Sequence, residues 1–255
     1  MGKPSRIEFN TGNCCRRSAS KSNSCERLSV QNKQYDLCQK VLSRLHTAGV
    51  LQHLVLIGSW CLVVYREYFR DVGVIHAVRT RDMDFLVPPT PKFNGKVDVP
   101  ELLNDLGFIT GFRGQHGVML LEHPEVMIEF LVPEHSRGSD KPKDLPQFGV
   151  NAQALRFMDI ALMMTIQLPF GAIPVNVPHP AAFALHKLLI VPRRTNAEKK
   201  QKDLDSAVQV LKLLDKKGEL SIAKDLLVKF PKPWKNVILK TLTDNRQDAI
   251  AEQLT

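Results

Sequence analysis

Two rhythms of apolar residues run along this chain. From Gln31 to Ala48, Tyr35, Cys38, Val41, Leu42 and Leu45 recur at helical spacing, and Gly49 supplies a stop. The continuous run His53–Ile57 predicts a buried strand that ends at Gly58-Ser59, and Trp60–Phe69 predicts a helix with Leu62, Val63, Tyr65 and Phe69 inward. Residues 70–80 form a loop, Met83–Val87 a strand closed by Pro88-Pro89, and Val99–Leu106 a helix. Three strands follow, Phe108–Arg113, Gly117–Glu122 and Val126–Val132. The turn residues Gly114–Gly117 and His123–Glu125 between them predict an antiparallel meander. Ser136–Gly149 is expected as a surface loop. Residues 152–178 fit helix or strand, with a turn at Pro169-Phe-Gly171 and a strand over Ile173–Val177.

Beyond Pro178 the pattern is helical throughout: Pro180–Ile190, Ala197–Lys216, Ser221–Val228 and Trp234–Leu242, broken at Pro192, Gly218 and Pro231-Lys-Pro233. The expected plan is a disordered basic leader over 1–28, an α/β domain over 29–178 and a helical domain over 179–255.

Composition narrows the class. The chain has 255 residues, 44% hydrophobic and 24% charged, as in ordinary globular proteins. No apolar run approaches the roughly 18–20 residues that cross a bilayer, so no membrane association is expected. The N-terminus lacks the apolar core of a secretory signal, and Arg6 breaks the myristoylation pattern after Met1-Gly2. These features predict a cytoplasmic protein. Cys14, Cys15, Cys25, Cys38 and Cys61 are odd in number with no CxxC pair, which predicts free thiols. The net charge of +9 is uneven: residues 1–34 carry +5, 35–192 carry −1 and 193–255 carry +5. Basic ends around a near-neutral centre suit an enzyme that meets a polyanion, although solvated lysine-rich helices would give the same count.

The candidate chemistry lies in acids where acids are expensive. Asp82-Met83-Asp84 opens the strand that runs into Phe85-Leu86-Val87, and in a strand residues i and i+2 share a face. Glu129 stands alone inside Val126–Val132. Unpaired buried charge costs several kcal/mol per ion, so something positive must meet these groups. Mg²⁺, which favours carboxylate and phosphate oxygens, is the natural candidate. The alternatives are a strand with one wet face for the aspartates and pairing with Arg113 for Glu129. Gly58-Ser59, between a buried strand and a helix start, permits close backbone approach and offers free N–H groups and a hydroxyl to phosphate.

Ile57-Gly-Ser-Trp60 followed by Arg79-Thr-Arg-Asp-Met-Asp84 resembles the hG[GS]…DhDh motif of the polymerase-β-like nucleotidyltransferases, closest in pattern to the bacterial AbiEii-type group. Further on, His186-Lys187-Leu-Leu-Ile190, Arg193/Arg194 and Lys202-Asp-Leu-Asp205 are similar to that group's helical segment; the likeness covers roughly residues 50–215. Two departures stand out. The interval between Ser59 and Asp82 is longer than the family's, which implies an inserted loop near 70–78, and the second acid of the helical segment is Asp205.

The resemblance implies an α+β fold: a mixed-sheet nucleotidyltransferase core with helices on one face, followed by a C-terminal helical domain, with the cleft between them. It implies a Mg²⁺-dependent, cytoplasmic enzyme that moves a nucleotidyl group from a nucleoside triphosphate such as ATP to an acceptor. Asp82, Asp84 and Glu129 would hold two Mg²⁺ ions and carry catalysis. Gly58, Ser59, Arg79, Thr80, Lys187 and Asp203 would bind the nucleotide. RNA ends such as tRNA, a protein hydroxyl or a small molecule are compatible acceptors, and the basic ends lean toward RNA. The rivals are an inactive nucleotidyltransferase fold acting as a nucleotide sensor or as a toxin–antitoxin partner, and a basic RNA-binding protein. The eight histidines show no zinc spacing, and neither GxxxxGK[ST] nor GxGxxG is present.

Overall fold

The computed structural model describes residues 19–77, 80–89, 93–134 and 141–255, with side chains from residue 33 onward. The first helix, α1 (Ala19–Thr47), starts earlier than the apolar rhythm indicates, so residues 19–28, expected in the leader, lie on it. Strand β1 (Val55–Ile57) leads through Gly58 into α2 (Trp60–Tyr68). Strand β2 (Asp82–Leu86) and helix α3 (Val99–Asn104) follow, α3 being capped by Asp98, whose side chain accepts from the Glu101 N–H.

The expected meander is present as β3 (Ile109–Arg113), β4 (Val118–Glu122) and β5 (Met127–Pro133), paired antiparallel in turn. Beyond β5 one expectation fails. The loop expected over Ser136–Gly149 contains β6 (Lys143–Leu145), which pairs with β7 (Val150–Leu155). The ambiguous stretch resolves into the end of β7, a short helix α4 (Asp159–Met163) and a separate hairpin, β8 (Thr165–Phe170) with β9 (Ile173–Pro178).

The main sheet runs β1-β2-β5-β4-β3, with β7 joined to β5. Pairing of β2 with β5 is parallel and that of β1 with β2 antiparallel, so the sheet is mixed. After β9 come α5 (Pro180–Ile190), α6 (Ala197–Lys216), α7 (Leu220–Val228), α8 (Lys232–Asp244) and an unanticipated α9 (Asp248–Leu254). His179 caps α5 ahead of Pro180, and Asn196 caps α6, each accepting from a first-turn N–H.

Strand alternation divides the interior. Met83, Phe85, Ile128 and Phe130 enter the large core together with Cys38 and Val41 of α1, Trp60 of α2, and Leu185 and Leu211 from beyond residue 178. Val55, Ile57, Leu86 and Leu131 form a small cluster on the opposite face under Met158 and Ala161. Three hydroxyl contacts bind α2 to the C-terminal part: Tyr65 donates to the Pro178 carbonyl at 2.6 Å, and Tyr68 meets His179 and donates to Glu219. Cys61 is a buried free thiol, as expected, and Cys38 is buried in the same core.

Candidate active site

The face that carries the small cluster is where the acids emerge. Asp82 and Asp84 share the parity of Leu86, and Glu129 that of Leu131, so all three project beside Met158 and Ala161 rather than into the large core. Asp84 stands in register with Ile57 on β1 and with Glu129 on β5. All three acids line one cavity of about 590 Å³, together with Gly58, Ser59 and Thr80.

Gly58 occupies this corner for two reasons. Its φ of +74° turns the chain from β1 into α2 in a region that disfavours other residues. A Cβ built on it would also lie 2.6 Å from Asp84 Oδ2. Ser59 does not cap α2 with its side chain; its hydroxyl lies 2.5 Å from the Thr80 hydroxyl. Thr80 is held at its other end by Gln34, whose amide donates to the Thr80 and Glu125 carbonyls at 3.0 and 3.1 Å. No sequence signal singles out Gln34, since its role depends on α1 crossing the strand ends. Arg79, expected to bind nucleotide, lies outside the described residues.

Crowding of acids shows in Asp84. Burial first, then the charges of Glu129 and Asp82, push its carboxyl up to about 7; Lys187 and Lys199 work in the opposite direction. Glu129 has a direct partner in Arg113, the pairing left open by the sequence. Arg113 donates from Nη1 to Oε1 at 2.8 Å and from Nη2 to Oε2 at 3.0 Å.

The far wall is basic. Lys187 on α5 is 2.5 Å from Asp203 Oδ1, and Arg194 Nε is 2.7 Å from Asp203 Oδ2. Burial opposes the Asp203 charge, but Lys187 and Arg194 outweigh it and hold the carboxyl below its ordinary range. Asp203 is thus held by Lys187 and Arg194 rather than by Lys199, which lies one turn before it on α6. Lys199 and Lys202 of α6 also line the cavity, and burial followed by the Lys187 charge lowers the Lys202 ammonium. His186 is buried at the same wall. Among the described residues its Nε2 has no hydrogen-bond partner, and burial and Lys187 push the ring down to about 3, so it is neutral.

Two aspartates on one strand face and a glutamate in register bring to the cavity the carboxylate oxygens that a hard divalent cation prefers. Among the described residues no three His, Cys, Asp or Glu side chains stand close enough together to hold a metal ion, and Glu129 is turned onto Arg113.

A nucleotidyltransferase family model matches residues 37–228, spanning the sheet and the wall formed by α5 and α6. The chain belongs to the nucleotidyltransferase family. Its activity is accordingly transfer of a nucleotidyl group. Among solved structures, this nucleotidyltransferase is similar to the antibiotic-resistance factor ANT(2″)-Ia in solution, at 12% identity and a TM-score of 0.43 over 76% of this chain and 92% of that one. It is also similar to ANT(2″)-Ia in complex with adenylyl-2″-tobramycin, at 12% identity and 0.44 over 76% and 98% of the two chains. A third similar structure is an antigenic nucleotidyltransferase-like protein from Paracoccidioides brasiliensis, at 14% identity and 0.40 over 79% and 91%. No curated protein matches the chain.

Proposed function

We propose that the cavity binds a nucleoside triphosphate with Mg²⁺ and transfers its nucleotidyl group to an acceptor hydroxyl. The observation that carries this reading is the convergence of Asp82, Asp84 and Glu129 on one sheet face against Gly58, with Asp84 pushed up to about 7 by burial and its acidic neighbours. A fold does not accumulate such repulsion for stability, and perturbed acids in a cleft mark functional sites.

Asp82 and Asp84 would hold the first cation and Glu129 would complete a second position. When bound, Mg²⁺ offsets triphosphate and carboxylate charge. The Gly58-Ser59 turn and the N–H groups at the start of α2 receive the β and γ phosphates, and Lys187, braced by Asp203, faces them from α5. The acceptor oxygen bonds to the α-phosphorus as the bond to the β-phosphate oxygen breaks. Pyrophosphate leaves, and the hydroxyl proton passes to the Glu129 carboxylate. Positioning and electrostatics supply most of the rate gain, as in other phosphoryl transfers.

For the acceptor we favour an RNA end. A groove of about 1180 Å³ along α6 shares Glu198 and Lys202 with the cavity and continues past Lys212 and Lys216. These lysines and the net charge of +9 suit a phosphate backbone leading to a terminal hydroxyl.

The test is incubation with each α-labelled triphosphate and total RNA, comparing wild type with Asp82→Asn/Asp84→Asn. Label transfer to RNA by the wild type and none by the double variant is the expected result. Equal transfer by both would overturn the assignment. Transfer to another acceptor, lost in the double variant, would overturn only the RNA reading.

A further inference from the structure

Arg113 belongs to the edge strand of the sheet, yet its guanidinium reaches a central one. The register pairs Arg113 with Val118 and Leu120 with Glu129, so Arg113 and Glu129 lie on one face with β4 between them. The fork is bidentate, at 2.8 and 3.0 Å, and takes both Glu129 oxygens. These are the oxygens a second cation would need.

The two partners differ in freedom. The Glu129 side chain is 10% exposed on β5, between β2 and β4, and cannot leave without disturbing the sheet. The Arg113 side chain is 51% exposed. It precedes a tight turn in which Gly114 and Gly117 adopt positive φ, and it lines the same cavity as Asp82 and Asp84. Its long stem can carry the guanidinium elsewhere in the cavity while the strand stays in place.

We propose that Arg113 is a stand-in cation. It neutralises Glu129 while the nucleotide is absent, and on nucleotide entry it moves onto the triphosphate, freeing Glu129 for the second divalent position and for the acceptor proton. This rests on the reading of Asp82, Asp84 and Glu129 as the cation site. A carboxylate in register with Asp84 would otherwise stand uncompensated in the free protein, and a planar fork that grips a carboxylate grips phosphate oxygens equally well. The arrangement keeps Glu129 oriented and makes the second cation compete with an internal one, coupling its binding to arrival of the triphosphate.

The experiment is a Mn²⁺ titration of the full chain without nucleotide, read from the electron paramagnetic resonance of free Mn²⁺. Arg113→Met is expected to bind Mn²⁺ at least about tenfold more tightly than wild type, or to take up an additional equivalent. Arg113→Lys, which keeps the charge but not the fork, should fall between them. Glu129→Gln in the Arg113→Met background should abolish the gain. In parallel, Arg113→Met should weaken binding of a non-hydrolysable triphosphate. Mn²⁺ affinity of Arg113→Met equal to or below that of wild type overturns the stand-in role. Should the methionine variant not fold, Arg113→Lys binding Mn²⁺ no more tightly than wild type overturns it equally. Asp84→Asn separates the two claims. If it loses Mn²⁺ binding while Arg113→Met gains nothing, only the Arg113 proposal fails; if it binds Mn²⁺ as wild type does, the cation site itself is misplaced.

Discussion

Gly58 and Asp84 fit together only because Gly58 has no side chain: a methyl carbon there would stand 2.6 Å from Asp84 Oδ2. The same glycine sits at φ +74°, where any L side chain is strained. Gly58→Ala is therefore expected to cost about 1–2 kcal/mol of stability. It should lower kcat/KM by about a hundredfold, because the carboxylate must shift. Thermal melts and steady-state kinetics check the two effects, and full activity would show that Asp84 has no fixed place.

Asp84 also predicts a dependence of stability on pH. Its folded-state value of about 7 is above the ordinary 3.8, so the folded protein holds the proton more tightly than the unfolded chain does. The cost of ionising it in the fold is absent below about pH 4, grows as pH rises toward 7, and is constant above. At full size it is on the order of 4 kcal/mol. Metal-free Asp84→Asn should escape this cost. Its stability advantage over wild type in denaturant melts should widen from pH 4 to 7, reach at least about 1 kcal/mol at pH 8, and shrink when Mg²⁺ is added to wild type. A flat difference across that range would contradict the shift.

Asp203 is buried between Lys187 and Arg194, and removing its charge leaves both cations facing one another. Asp203→Asn should cost about 3 kcal/mol of stability and raise the KM for triphosphate more than it lowers kcat. Lys187→Met should keep more of the fold, since Arg194 still neutralises Asp203, while losing triphosphate affinity. Denaturation curves with initial-rate kinetics distinguish the two variants.

The Ser59 and Thr80 hydroxyls form one unit at 2.5 Å. Ser59→Ala and Thr80→Val should therefore be non-additive, with a coupling of about 1 kcal/mol in a double-mutant cycle on stability and a comparable coupling in triphosphate KM. Additive effects would show that the hydroxyls act separately.

Much of this site can be read from the sequence because its signals are local. Strand parity puts Asp82 and Asp84 on one face, and a charge inside Val126–Val132 stands out against its neighbours. The meander follows from turn residues flanking apolar runs. What escapes such a reading depends on contacts distant in sequence. Lys199 and Lys202 look like any solvated helix lysines until the packing of α6 against α5 brings them to the cavity. His186 belongs to no zinc-like spacing, and only the packing of α5 brings its ring to the cavity wall. The start of α1 at Ala19 lacks an apolar rhythm, and β6 has only three residues, paired with β7, which makes both invisible to a reading by period. Arg113 is a possible partner for Glu129 on sequence grounds, but only the register across three strands shows that it reaches.

Crystals grown with Mn²⁺ and a non-hydrolysable triphosphate analogue address the central claim most directly, through the anomalous signal of the metal. The expected result is a Mn²⁺ peak at the Asp82 and Asp84 carboxylates, with the triphosphate running over Gly58-Ser59 toward Lys187 and Arg113 released from Glu129. Manganese bound away from Asp82 and Asp84, or a triphosphate seated outside this cavity, would contradict it.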